Sequence, residues 1–317
     1  MSDKSYIIFD TDMDTDCDDV GAFAMLLEAH LAKRIKLIGV IADSVSKHAA
    51  PCCEAIAERY NVNIPIGAIY SDDYMDTDMN IARFAEYRNH SQRCLDGGNS
   101  YNRIFAEEIG KSDRDYPDAV SVYRKLLAQA EDHSVTVLCV GMLTAIAEAI
   151  SSGADQISPL SGEELFSRKV KHVITMGDPD VINDFNWGND SYAAERFFSL
   201  CPVPIYISSE GSTVITGERF SAELPSDHPL RRAYEIWLGR ERRGRCSWDQ
   251  IATLYAIEPQ SRYLSCKDHG ACAYDADKKQ LRKEERDMGC KRIHINCEIE
   301  TIEKVLNQYM LGDYIGI

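Results

Sequence analysis

Short apolar runs alternate with amphipathic stretches along most of the chain. Residues 6–9 form a strand-like apolar run, and over 20–31 Val20, Phe23, Ala24, Leu27 and Leu31 recur at helical spacing. Residues 36–42 read as a second strand, and this strand–helix–strand order predicts a right-handed crossover joining a parallel pair. A helix near 50–60 and a short strand near 64–66 follow. Further on, helices are expected over 120–131, 143–150, 230–238, 248–257 and 302–311, and strands over 135–140, 170–176 and 203–207. Residues 70–105 are polar, with Asp72, Asp73, Asp76, Asp78 and the Gly97-Gly98 pair, and read as a long mobile loop at the working end of the sheet. The final third alternates less regularly.

This order predicts an α/β fold: an open, mostly parallel sheet flanked by helices, with the active site at the C-terminal strand ends. No repeat, low-complexity tract or linker interrupts it, so one domain over residues 1–317 is expected. A hydrophobic fraction of 44% and a charged fraction of 27% are ordinary for a globular protein. The net charge of −16 argues against nucleic acid as the partner and leaves a small neutral ligand open. No apolar run approaches the roughly 20 residues of a membrane span, so no membrane partner is expected. The opening residues lack a signal-peptide pattern and lead into a strand, and the eleven cysteines include no Cys-x-x-Cys. A cytoplasmic, reduced protein is the expectation.

The chemistry concentrates where the first apolar run ends. Asp10, Asp12, Asp14, Asp16, Asp18 and Asp19 fall within ten positions. Carboxylates this close raise one another's pKa or recruit a cation, and an all-oxygen set suits Ca²⁺ or Mg²⁺. Cys17, among them, is a poor nucleophile because their charge disfavours its thiolate. An EF-hand is rejected. Counting from Asp10, Asp12 or Asp14 puts Thr15, Cys17 or Asp19 where a glycine is needed, and Gly21, Phe23 or Met25 where a glutamate is needed. A haloacid dehalogenase-type Mg²⁺ phosphatase is a better rival. Its Asp-x-Asp-x-Thr pattern fails at Asp14, although Gly177-Asp178 with Asp184 echoes its second metal segment.

The segment from Asp10 to Asp19 resembles the N-terminal signature of the calcium-dependent nucleoside hydrolases, Asp-x-Asp-Pro-Gly-x-Asp-Asp. It has two extra residues between the acidic pairs. Residues 137–147 are similar to that family's strand and Gly-x-Leu-Thr-x-Ile-Ala turn, and 173–177 to its Met-Gly strand end. Asp184, Asn186, Asp190 and the Ala193-Ala194-Glu195 run look like its Glu-Phe-Asn and Asp-Pro-Glu-Ala-Ala segments. Residues 247–249 resemble the late segment carrying an Asp to the metal.

The resemblance implies a ribonucleoside N-glycosidase with one Ca²⁺ and a small-molecule ribonucleoside as substrate, in nucleoside catabolism or purine salvage. It also implies a homodimer or homotetramer. Asp12 would be general base and metal ligand, with Asp19, the Val140 carbonyl and Asp249 completing the protein ligands. Asp18, Asp43, Met176, Asp184 and Asn186 would surround the ribose, and Asp10 would support them. With the longer loop, Asp16 is an alternative for the role of Asp12 or Asp18.

Such chemistry is coherent by itself. Cleaving an N-glycosidic bond builds an oxocarbenium-like sugar, which an anionic pocket stabilises. A metal can acidify a water whose proton a carboxylate takes. The leaving base needs an acid or an aromatic partner, and Trp248 stands where some family members have His. Trp187 or Trp248 would stack on the base, unless both pack in the core or a lid. His90 and Tyr101 are alternative acids. The run Arg240, Arg242, Arg243 and Arg245 is either a solvated loop or the receptor of a substrate phosphate. Departures at Asp43, Asp184 and Trp248 keep open a homologue that binds a ribosyl ligand without turning it over.

Overall fold

A computed structural model describes residues 5–74, 77–239, 243–283 and 289–314. The strands are β1 (Ser5–Thr11), β2 (Ile35–Ala42), β3 (Ile66–Ala68), β4 (Val135–Cys139), β5 (Val170–Met176) and β6 (Ile205–Ser208), then β7 (Ile215–Thr216), β8 (Arg245–Cys246), β9 (Leu264–Gly270), β10 (Cys272–Asp275), β11 (Gln280–Lys283) and β12 (Cys290–Ile295). Eight of them form one sheet in the order β3-β2-β1-β4-β5-β6-β12-β9. Every neighbouring pair in it is parallel except β12 with the edge strand β9. The expected open, mostly parallel sheet is present.

The apolar strand runs are long because both sheet faces are covered. Ile7 and Phe9 point into one core layer and Ile8 into the other, all fully buried. Helices Asp18–Leu31, Ala49–Arg59, Trp248–Ile257 and Ile299–Met310 build the first layer. Helices Ala119–Gln129, Thr144–Ser151, Gly162–Lys169 and Ser191–Leu200 build the second.

The segment 70–105 corrects the loop expectation. Its described part contains helices Asp78–Arg83, Ala85–Gly97 and Tyr101–Ile109. Sparse apolar anchors drive this: Phe84, Tyr87, Cys94, Tyr101 and Phe105 are buried while most of the remaining surface is polar, Met79 and Ile81 being exposed. The final third adds β12 in parallel beside β6 and β9 as an antiparallel edge, which explains its less regular alternation.

Strand order fixes the place of chemistry. From β1 the chain builds β2 and β3 on one side and β4, β5 and β6 on the other. Ligands bind at such a switch point, beyond the carboxyl ends of the strands. Asp12 follows β1 there, Val140 follows β4 and Met176 ends β5.

Two helix N-termini point at the same spot. Asp18 and Asp19 lie in the first turn of Asp18–Leu31, and Asp249 in the first turn of Trp248–Ile257. Gly21 permits the close crossing of these helices, since a Cβ there would lie 2.3 Å from Gln250 Nε2. The positive ends of both helix dipoles therefore meet the carboxylates.

Candidate active site

The converging elements enclose a cavity of about 440 Å³, in the range of small-molecule sites. Its floor carries Asp12, Asp18, Asp19, Asp249, Val140 and Asn186. The four carboxylates are 2–4% exposed. Oxygens of Asp18, Asp19 and Asp249 lie within 4.8 Å of one another. The Thr11 hydroxyl donates to Asp19 Oδ1, and the Met13 N–H donates to the same oxygen at 3.3 Å. Met13 holds this position with φ of 27°, a backbone conformation uncommon outside glycine. The Asp249 N–H approaches Asp18 Oδ2 at 3.4 Å, and Asp249 Oδ1 is buried without a hydrogen-bond partner.

Burial is the main force on these groups. It lifts Asp12 to about 8, with Asp14 and Asp18 adding repulsion. It holds Asp18, Asp19 and Asp249 well above the usual carboxylate range, and their mutual charge adds to the effect. Such a set either keeps protons or takes a cation. The donors are all oxygen, one carboxylate oxygen is orphaned, and three carboxylates already converge, so the residues fit a hard divalent ion.

The sugar side of the floor is braced. The Asn186 amide donates to the Val140 carbonyl at 2.6 Å and approaches the Met176 carbonyl at 3.4 Å. Asp184 caps the following helical turn: its Oδ1 accepts from the N–H groups of Asn186 and Trp187 at 3.1 and 3.2 Å. Its Oδ2 accepts from the Asp178 N–H at 2.9 Å. Asp184 lines the cavity but is spent on shaping the segment, and burial pushes it up to about 6.

The rim is aromatic. His90, Phe185, Trp237 and Trp248 line it from separate elements. His90 lies nearly parallel to Trp237, with ring centroids 6.4 Å apart, and meets Phe185 edge-on at 5.5 Å.

Other expected residues lie elsewhere. Trp187 is a correction. Its indole is buried behind the strand ends, donates to Thr175 Oγ1 at 3.0 Å and packs edge-on against Phe198 and Tyr274. It cannot stack on a ligand in this cavity. Asp43 is fully buried beside the cavity, accepting from the Ala145 N–H at 2.8 Å, so it braces the helix Thr144–Ser151 rather than touching a sugar. Asp10 lies beneath the floor, fully buried, with the Tyr123 hydroxyl donating to it. Tyr101 donates to the Asp16 carbonyl at 2.6 Å and does not line the cavity, which removes it as a leaving-group acid.

Asp16 and Arg245 answer two open points together. The Arg245 Nε lies 2.9 Å from both Asp16 oxygens, and its Nη2 also donates to Oδ2. Asp16 is therefore not free to replace Asp12 or Asp18, and Arg245 is not a free phosphate receptor. Arg243 is exposed, and Arg240 and Arg242 lie outside the described residues.

Sequence reading missed Trp237, Phe185 and Asn102. Asn102 donates to Asp14 Oδ1 at 2.8 Å, which steadies the acidic loop. Phe185 sits between two residues that were singled out, so its neighbourhood was a usable signal. Trp237 and Asn102 carried none, because their partners are far away in sequence.

A model of the family described as inosine-uridine preferring nucleoside hydrolase matches residues 7–306. Among solved structures, an inosine-uridine preferring nucleoside hydrolase from Bacillus anthracis is 15% identical with a TM-score of 0.64, covering 98% of this chain and 99% of that one. A purine-preferring ribonucleoside hydrolase from Gardnerella vaginalis is 14% identical with a TM-score of 0.64, covering 97% and 99%. The type III effector protein XopQ, solved with adenosine diphosphate ribose, is 13% identical with a TM-score of 0.66, covering 99% and 94%. These likenesses show the shared fold. No curated protein matches the chain.

Proposed function

We propose that this chain, which belongs to the inosine-uridine preferring nucleoside hydrolase family and is by that membership a nucleoside N-glycosyl hydrolase, acts on free ribonucleosides with Asp12 as general base and Ca²⁺ as cofactor. One observation carries the reading: four buried carboxylates form the floor of a single cavity whose rim is aromatic. Asp18, Asp19 and Asp249, whose oxygens converge, would hold the ion, with Asp12 and the Val140 carbonyl lining the same floor as further ligands. Bound there, calcium would lower the pKa of a water and grip the ribose diol.

The protein's own groups do the rest. Asp12, once ionised, accepts the proton of the attacking water. The Asn186 amide, anchored on the Val140 and Met176 carbonyls, faces the sugar. The carboxylate floor stabilises positive charge as the ribosyl centre becomes oxocarbenium-like. Phe185, Trp237 and Trp248 offer faces to the base, and His90 is the side chain at the rim that can hand a proton to the leaving nitrogen. A phosphorylated ribosyl substrate is disfavoured, because the floor repels phosphate and Arg245 is engaged by Asp16.

The test is ribose release from inosine, adenosine, guanosine, uridine and cytidine, with Ca²⁺, with chelator, and with Asp12→Ala. The expected result is release that both chelation and the substitution abolish. Folded protein that binds Ca²⁺ but releases ribose from none of them would overturn turnover of free nucleosides and favour a ribosyl-binding homologue.

A further inference from the structure

The acidic loop is two residues longer than the short signature it resembles, and Asp16 lies in the lengthened part. Asp16 is held three ways. Arg245 grips both oxygens, the Cys17 N–H donates to Oδ1 at 2.7 Å, and Tyr101 fixes the backbone carbonyl at 2.6 Å. Arg245 in turn is set on a rigid base. Its strand β8 pairs with β7, Thr216 Oγ1 and Ser247 Oγ lie 2.8 Å apart, and the Ser247 N–H donates to Gly211 at 3.2 Å. Its guanidinium also lies 5.3 Å from the Trp248 ring centroid. One residue beyond Trp248 stands Asp249, and two beyond Asp16 stands Asp18.

We infer that the Arg245–Asp16 ion pair is a positioning clasp: it locks the long acidic loop, which carries Asp18 and Asp19, against the segment that carries Asp249, and so sets the spacing of the three converging carboxylates. Arg245 also orients the Trp248 face at the rim. The inference rests on the metal reading above, because its consequence is cation affinity.

Electrostatics alone and positioning make opposite forecasts for Arg245. By charge alone, removing the Arg245 cation would tighten Ca²⁺ binding and removing the Asp16 anion would weaken it. A clasp makes both changes weaken it, since groups that orient metal ligands typically contribute about 10–100-fold to affinity. The experiment measures Ca²⁺ affinity by calorimetry for the full chain and for Asp16→Asn, Arg245→Gln, Arg245→Lys and the double variant Asp16→Asn/Arg245→Gln. Melting temperature with chelator serves as a check of folding.

Both single variants should bind Ca²⁺ at least about tenfold more weakly. The double variant should be no worse than the weaker single, because the two side chains act as one unit. Arg245→Lys should recover part of the loss. Tighter or unchanged binding by Arg245→Gln, in protein that melts like wild type, overturns the clasp and leaves the metal reading standing. A wild-type chain that binds no Ca²⁺ overturns the metal reading and the clasp together.

Discussion

Gly141→Ala is the sharpest probe of how closely the two central strands must approach. Gly141 follows β4 at the switch point, beside Asp12 at the end of β1. A Cβ there would lie 2.6 Å from the Asp12 nitrogen and 2.8 Å from its Cβ and Oδ1. Ordinary contact begins near 3.4 Å, so the neighbour must retreat by as much as about 0.8 Å at its nitrogen. That atom is backbone, and β1 is fixed by pairing to β2 and β4 on either side. Gly141 has no left-handed φ, so alanine adopts its conformation freely and the effect is purely steric. Overpacking of this kind costs about 1–3 kcal/mol, which a folded domain survives. With Asp12 as the proposed general base, its displacement by nearly 1 Å should lower turnover about 10²-fold. The assay is kcat/KM for the preferred nucleoside beside a melting curve. Gly153→Ala, where an added Cβ meets nothing within 4 Å, is the control. Gly141→Ala protein with wild-type kcat/KM would refute the reasoning, because Asp12 could not then be both displaced and the base.

Protonation supplies a second test. Burial raises Asp12 and Asp10 from 3.8 to about 8, so between those values the folded chain binds more protons than the unfolded one. Without divalent ions, stability is then greatest below about pH 4 as far as these groups decide it, and is lost as pH rises toward about 8. Calcium requires the ionised carboxylates, so its stabilising effect should grow over the same range, read as melting temperature with chelator and with Ca²⁺. A calcium-induced shift that does not vary with pH would contradict this. Trp248→Ala should raise KM about tenfold, as the loss of an aromatic partner implies, while Trp248→Phe should change it little. Trp187→Ala should instead cost about 3–5 kcal/mol of stability, measured by denaturant unfolding, with KM nearly unchanged in the folded fraction. His90→Gln should slow inosine cleavage by about 10²-fold yet leave a nitrophenyl riboside unaffected, because nitrophenolate departs without an acid. Equal losses on both substrates would deny His90 that role.

What was legible in the sequence was what local pattern encodes. Strand β1 and the helix after it announce themselves because a doubly covered strand must be apolar throughout and its helix must repeat near 3.6. The acidic cluster was visible because its members are neighbours in the chain. Other features lie on long-range contacts and were not legible. The Trp187 and Trp248 side chains look alike in sequence, each beside a singled-out residue, and only the packing of Phe198 and Tyr274 makes the first a core residue. Arg245 reads as one member of a basic run until Asp16, 229 positions away, meets it. The segment 70–105 reads as loop because its helices bury few side chains each, and composition outweighs periodicity when anchors are that sparse.

The floor of this cavity is arranged against its own stability, and that is what makes it functional. Burying ionised carboxylates is costly, and the fold offsets only part of the cost, through two helix N-termini, the Thr11 hydroxyl and the Met13 N–H. Asp249 Oδ1 is still left without a partner. A lysine or arginine at the floor would have satisfied it, yet the one such residue lining the cavity among the described residues is Arg245, held at the margin by Asp16. Under the proposed function these carboxylates, which burial keeps protonated, yield their protons to a cation that arrives, and the ionised floor then meets the positive charge that develops on a ribosyl ring. The aromatic faces of Phe185, Trp237 and Trp248 over such a floor suit a ligand with one polar, hydroxylated end and one flat aromatic end. A nucleoside, the proposed substrate, has that division of surface; a free sugar lacks the aromatic half, and a phosphate ester would bring negative charge to a carboxylate floor.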